Sequence, residues 1–237
     1  MKKLNFKDII LFENENYLLV SKPAHVATLE DRNDPLNMLG WAREYADDAQ
    51  ACHRLDKETS GVLAFAKHPE AYRHLAIQFE SRQVQKVYHA IADGIHEFRD
   101  QQVSLPIKLL GKGIVQISRQ EGKPAETWLN TLQAYRQHTL VECKPVTGRM
   151  HQIRIHLSAL KAPISGDETY GGQPLLLSKL KRKFNLKSGT EELPVIKRVA
   201  LHAFELRFAD INGEPLAVQA PYPKDFAVAV KQLEKNI

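Results

Sequence analysis

Residues 53–67 read His53-Arg54-Leu55-Asp56-Lys57-Glu58-Thr59-Ser60-Gly61-Val62-Leu63-Ala64-Phe65-Ala66-Lys67. The second half is a short apolar run of strand length, so 62–67 is expected as a strand covered on both faces. The first half sets five charged or chargeable groups and a Thr-Ser-Gly turn directly in front of that strand. A strand inside a core is seldom entered this way. Two readings are open at this point. The loop is solvated, with Asp56 and Thr59 satisfying nearby backbone groups, or it presents Asp56 for chemistry.

Upstream of this loop, residues 17–21 form another apolar stretch, stopped by Lys22-Pro23, and are expected as a strand. Asp34-Pro35 has the form of a helix start, aspartate as cap and proline in the first turn, for a helix carrying Leu36, Leu39 and Trp41. Downstream, Pro69 opens a helix with Ala71, Leu75 and Phe79 on one face. Residues 84–92 alternate as a strand, with Val87, His89 and Ile91 on one side and Lys86, Tyr88 and Ala90 on the other. Residues 111–123, rich in Gly and Lys, are expected as a hairpin or loop. Strands follow at 127–135 and 139–145, ahead of the turn Thr147-Gly148. In 150–160, Ile153 and Ile155 alternate like a strand, but Ile153, Leu157 and Leu160 keep helical spacing up to Pro163. A helix is therefore expected, with Arg154 and Ser158 on one flank. The polar, basic stretch 172–195, with Pro174, Gly189 and Pro194, is expected as a long surface insertion. A strand at 199–208, a hairpin turn at Asn212-Gly213 and an amphipathic helix through Phe226, Val230 and Leu233 close the chain. Strands with scattered helices and no regular βαβ alternation predict an α+β fold, a mainly antiparallel mixed sheet flanked by helices, in a single domain over 1–237.

Composition narrows the class of function. The 237 residues carry 33 Lys+Arg against 28 Asp+Glu, a formal charge of +5 that suits a polyanionic partner. Lys179, Lys181, Arg182, Lys183 and Lys187 crowd one stretch, as a phosphate contact or as a solvated loop. With 43% hydrophobic residues the chain can bury a substantial core. Its two cysteines, Cys52 and Cys143, are expected as reduced thiols. The start lacks the pattern of a secretory signal, and no apolar run reaches membrane-spanning length, so a soluble, cytoplasmic protein is expected. None of the ten histidines has zinc-ligand spacing, and His151 and His156 are expected to pack or lie on the helix surface. Walker, GxGxxG and paired CxxC motifs are missing. No coiled-coil heptads are present, which favours a monomer.

The stretch HRLDKETSGVLAFAK resembles the signature of the RluA-type RNA pseudouridine synthases, which reads HRLD, two free positions, TSG and an apolar strand ending in lysine. The likeness continues in order along roughly 200 residues. YLLVSKP, QKVYHAIADG, EGKPAET, TGRMHQIRIHLSALKAPISGDETYGG, RVALHAFEL and APYPKDF each resemble a family element. One departure is the turn Lys22-Pro23-Ala24-His25, where the family usually has glycine after Pro-Ala, so a different bend is expected there. Many relatives also carry an N-terminal RNA-binding module, and this sequence looks like the short kind without one.

The resemblance implies a pseudouridine synthase fold with a central RNA-binding cleft. It also implies isomerisation of a uridine in structured RNA, ribosomal or transfer, without a cofactor. Breaking N1–C1′ and rejoining the base through C5 needs an anionic oxygen near the anomeric carbon, as in glycoside chemistry. By resemblance Asp56 is that carboxylate, and Arg154 is the guanidinium that steadies it. Tyr88 would stack on a base swung out of the RNA, and Arg54 would fill the space the base leaves. Lys86, Arg149, Lys181 and Arg182 are candidates for RNA contact. Two other classes stand beside this one: an RNA-binding protein or RNA chaperone that keeps the fold without catalysis, and a hydrolase using Asp56 with His53. The hydrolase would need an oxyanion site for which no motif is present.

Overall fold

In the computed structural model, residues 5–30, 36–111, 113–186 and 189–237 are described. The elements run β1 (Ile10–Glu13), β2 (Tyr17–Lys22), α1 (Met38–Tyr45), β3 (Gln50–Ala51), β4 (Ser60–Ala66), α2 (Pro69–Glu80), β5 (Gln85–Asp93), β6 (Gln101–Ser104), β7 (Ile107–Gly111), β8 (Ile114–Ile117), β9 (Glu126–Ala134), β10 (His138–Pro145), α3 (Gln152–Ala159), α4 (Leu177–Leu180), β11 (Leu201–Ala209), β12 (Pro215–Gln219) and α5 (Lys224–Glu234). The architecture is the mixed, mainly antiparallel α+β class expected from the sequence. The chain divides into two compact units, Met1–Val87 with His202–Pro221, and Tyr88–Leu201 with Tyr222–Ile237.

In the first unit, β2 lies between β1 and β4, antiparallel to both, and β3 pairs with the end of β4. All seven residues of β4 are buried, as its unbroken apolar run requires. β11 joins β4 in parallel, His202 opposite Ser60 and Ala203 opposite Gly61, and turns back antiparallel into β12. Gly61 is fixed by this pairing. A Cβ there would stand 2.1 Å from the Ala203 carbonyl oxygen, and its φ of +117° suits glycine alone. Ser60 Oγ meets His202 Nδ1 at 2.9 Å, and His202 Nε2 reaches the Ala220 carbonyl at 3.1 Å. Pro69 starts α2, and Ala71 and Leu75 enter a core with Tyr17, Leu19, Val62, Ala64, Leu206 and Phe208.

Helix α1 begins later than expected. Asn37 caps it, accepting from the Gly40 N–H at 2.8 Å, and Asp34 and Pro35 lie outside the described residues. Its buried face is Met38 and Ala42, one helical turn apart, while Leu36 is exposed. At the end of β2, His25 takes φ +66°, the left-handed conformation glycine adopts without strain. The backbone is thus glycine-like at the position where the side chain departs from the family pattern.

The second unit is built on antiparallel strands in which β10 lies between β5 and β9, and β6 borders β9. The hairpin β7–β8 forms its own two-stranded sheet. Helix α3 confirms the helical reading of 150–160. Ile153 and Leu157 pack with Ile91, Leu129 and Val141, and α5 adds Phe226, Ala229, Val230 and Leu233 to the same core. The stretch expected as a surface insertion is partly interior. Leu175 and Leu180 are buried in this core, and the Val195 N–H donates to the Leu175 carbonyl at 2.8 Å. Burying each such side chain contributes roughly 1.5–3 kcal/mol, which outweighs the polar character of the neighbouring lysines.

Candidate functional site

The loop carrying Asp56 is held from both sides by the turn after β2. Thr28, itself buried, places its hydroxyl against Leu55, the residue before Asp56. It accepts from the Leu55 N–H at 3.1 Å and donates to the Leu55 carbonyl at 2.9 Å. On the other side, the Lys57 carbonyl accepts from the His25 N–H at 2.8 Å and from Lys22 Nζ at 3.1 Å. Lys22 is completely buried, and its ammonium also donates to the Pro23 and Val26 carbonyls at 2.9 and 2.8 Å. Three donors meeting three carbonyls offset the cost of burying that charge. The Thr59 N–H donates to the Asp56 carbonyl at 3.0 Å, closing the turn. Asp56 is half-buried between buried Leu55 and exposed Lys57, and Arg54 is exposed.

His53 supports the strand behind the loop. Its Nε2 accepts from the Ala64 N–H at 3.1 Å, and its ring lies 5.1 Å from that of Phe79. Burial, reinforced by the nearby Lys86 ammonium, pushes its pKa down to about 3. It is a neutral packing residue, not the base that a hydrolase would need. Lys86 is half-buried, and burial first and Arg82 second lower its pKa to about 8. Burial raises the Cys52 thiol to about 12 and Cys143 higher still, so neither is a thiolate at neutral pH.

In the second unit Tyr88 is half-buried on β5, opposite Cys143 of β10 and against the core. Its neighbour His89 points to the other face and contacts the Tyr222 hydroxyl at 2.6 Å through Nδ1. Arg154 lies on the buried flank of α3. Its Nε and Nη2 donate to the two carboxylate oxygens of Asp167, each at 2.7 Å, and the guanidinium sits 5.0 Å from the Tyr170 ring centre. A paired fork of this kind fixes direction as well as charge. Ser158, on the same flank, donates to the Tyr170 carbonyl at 2.7 Å. Asp167 and Arg154 are both buried.

The turn before α3 is organised by Gln152. Its Oε1 accepts from the Thr147 hydroxyl at 2.7 Å and the Arg149 N–H at 3.0 Å. Its Nε2 donates to the Glu126 carbonyl and to Thr127 Oγ1. Arg149 is exposed, its Nε on the Pro124 carbonyl at 3.1 Å. His156 is buried between Thr127 Oγ1 and the Leu105 carbonyl, a packing residue as expected. Lys181 is half-buried and Arg182 exposed, just past α4.

The structure therefore brings Lys22, His25 and Thr28 onto the backbone at either side of Asp56, and Arg154 together with Asp167 and Tyr170. Sequence reasoning singled out Asp56, Tyr88 and Arg154 but missed Thr28, Gln152 and Asp167. The signal for the last two lay inside motifs already quoted, the Gln of His-Gln-Ile-Arg and the Asp of Gly-Asp. Thr28 had none. Among the described residues no group of three or more His, Cys, Asp or Glu could hold a metal ion. No helix among them is long and apolar enough to cross a membrane.

The sequence model of a family described as RNA pseudouridylate synthase matches residues 16–159. A ribosomal large subunit pseudouridine synthase C from Salmonella typhi is 35% identical over 97% of this chain and 71% of its own length. A ribosomal large subunit pseudouridine synthase D from Xanthomonas campestris is 33% identical over 96% of this chain and 70% of its own. Among solved structures, human RNA pseudouridylate synthase domain containing 1 is similar with a TM-score of 0.69 and 28% identity, covering 94% of this chain and 87% of that one. Human RNA pseudouridylate synthase domain containing 4 shares the fold with a TM-score of 0.73, at 24% identity and 97% and 94% coverage.

Proposed function

The chain belongs to the RNA pseudouridylate synthases, and from that premise we propose that Asp56 is the carboxylate with which it isomerises a uridine in structured RNA, ribosomal or transfer. The observation that carries this is the loop itself. Asp56 stands half-exposed in a turn whose flanking backbone is pinned at Leu55 and Lys57, a rigid mount for a side chain that must meet one carbon atom.

In the reaction N1–C1′ breaks, C5–C1′ forms, the C5 proton leaves and N1 regains a proton, so substrate and product are isomers. The target base must be everted for C1′ and C5 to be reached. Asp56 supplies the anionic oxygen, and Tyr88 and Arg154 act with it on that one nucleotide, Tyr88 by stacking. Arg54 replaces the everted base in the stack. Lys86, Arg149, Lys181 and Arg182 contact the RNA backbone. The whole chain acts as one catalytic domain, as a monomer in the cytoplasm. The relatives named for the ribosomal large subunit favour ribosomal RNA.

Loss of the C5 hydrogen gives a direct test. RNA tritiated at uridine C5 is expected to release label to water with the wild type, and none above background with Asp56→Asn or Asp56→Ala. Equal release by wild type and both variants rules Asp56 out. No release by the wild type on ribosomal or transfer RNA favours an RNA-binding protein without catalysis.

A further inference from the structure

We propose that Thr28 is a positioning residue for Asp56, its hydroxyl setting the backbone from which the carboxylate projects. The inference rests on the reading of Asp56 as the catalytic carboxylate. Leu55 is buried, so its N–H and C=O need partners inside the protein. Neither is taken up by a strand, because the loop precedes β4. Both are served by one hydroxyl, which accepts from the N–H and donates to the carbonyl. Thr28 is in turn held by the start of α1. The Leu39 N–H donates to the Thr28 carbonyl at 3.0 Å, and the Met38 N–H to the Ala27 carbonyl at 2.8 Å. Residue 28 thus links the first turn of a helix to the residue immediately before Asp56. The contacts of Lys22 and His25 fix the residue immediately after it. Without the hydroxyl the Leu55 side of the loop has two buried backbone groups to satisfy, and its lowest-energy arrangement must change. A displacement of an ångström at a reacting group is enough to slow a reaction on the order of a hundredfold.

Thr28→Val keeps the shape of the side chain and removes the hydroxyl, and Thr28→Ser restores it. Tritium release is measured as kcat and KM separately, well below the melting temperature of each variant, with Asp56→Asn in parallel. The expected result is a kcat for Thr28→Val lower by roughly ten- to a hundredfold, KM within about twofold of wild type, and recovery of most of kcat in Thr28→Ser. A purely structural role would lower the melting temperature and leave kcat of the folded protein unchanged. That outcome overturns the proposal, as does a loss confined to KM or a serine variant as slow as the valine one. If Thr28→Val does not fold, Thr28→Ala takes its place, and failure of both to fold makes Thr28 structural and also overturns it. An active Asp56→Asn would remove the premise instead, and that result is distinct from an inactive Asp56→Asn beside a fully active Thr28→Val.

Discussion

At position 25 a residue with a ring side chain occupies φ +66° while its N–H anchors the loop of Asp56. The left-handed region costs an L-residue roughly 1–2 kcal/mol, less for histidine than for a branched side chain. Glycine enters it freely but loses more entropy on folding. His25→Gly is therefore expected to be neutral or to stabilise by up to about 1 kcal/mol, and His25→Val to destabilise by about 1–2 kcal/mol. Urea unfolding with an unchanged m-value checks both. The residues around Asp56 show why part of the site could be read in sequence and part could not. Asp56 stands inside a contiguous motif whose polar density is visible without a structure. Thr28 lies 27 residues from its partner Leu55, and Asp167 lies 13 from Arg154. Asp167 at least stands in a motif already quoted, whereas nothing in the local spacing of Thr28 marks a contact made over that distance.

The strands were legible where a single period governs them. β4 follows from its apolar run and β5 from its alternation. α3 emerged from two turns of helical spacing against a weaker strand pattern. Other elements depended on partners elsewhere in the chain. α1 takes its start from Asn37 and its inner face from Met38 and Ala42. Leu175 and Leu180 belong to a stretch rich in polar and basic residues, and only the core that receives them identifies them as interior. The junction of β4 with β11 tolerates little change at Gly61. Gly61→Ala sets a methyl group 2.1 Å from the Ala203 carbonyl oxygen, far inside van der Waals contact, and imposes an unfavourable φ. It is expected to destabilise by about 3 kcal/mol or more. Chemical denaturation checks this, since a variant with wild-type stability would mean that the two strands separate more readily than their register suggests.

For the molecule as a whole, pH acts through histidines that fold in the neutral form. His53 is lowered by burial and then by Lys86. His138 is lowered by burial and Lys179 against the opposing pull of Asp93, and His156 by burial against its hydrogen bond to Leu105. In the unfolded chain each takes up a proton as pH falls through its ordinary value of 6.5. The folded protein does so only at lower pH, at about 3 for His53. The unfolded state therefore binds more protons below pH 6.5, and stability falls as pH falls, by at most about 1.4 kcal/mol per pH unit for each histidine. The melting temperature is expected to drop between pH 7 and 5, above the range in which ordinary carboxylates titrate. His53→Gln, which keeps an acceptor for the Ala64 N–H, should flatten that slope. A melting temperature constant over this interval would mean that the native protein takes up protons at these rings as readily as the unfolded chain does.

The parallel pairing of β4 with β11 also bears on synthesis. Ser60 and His202 touch although 142 residues separate them, so the first strand leaves the ribosome long before its neighbour exists. During that interval a mostly apolar segment presents an open row of amides and carbonyls to solvent. Nascent chains stalled before His202 should accordingly bind holdase chaperones and aggregate when released, whereas chains stalled with Pro221 clear of the exit tunnel should not.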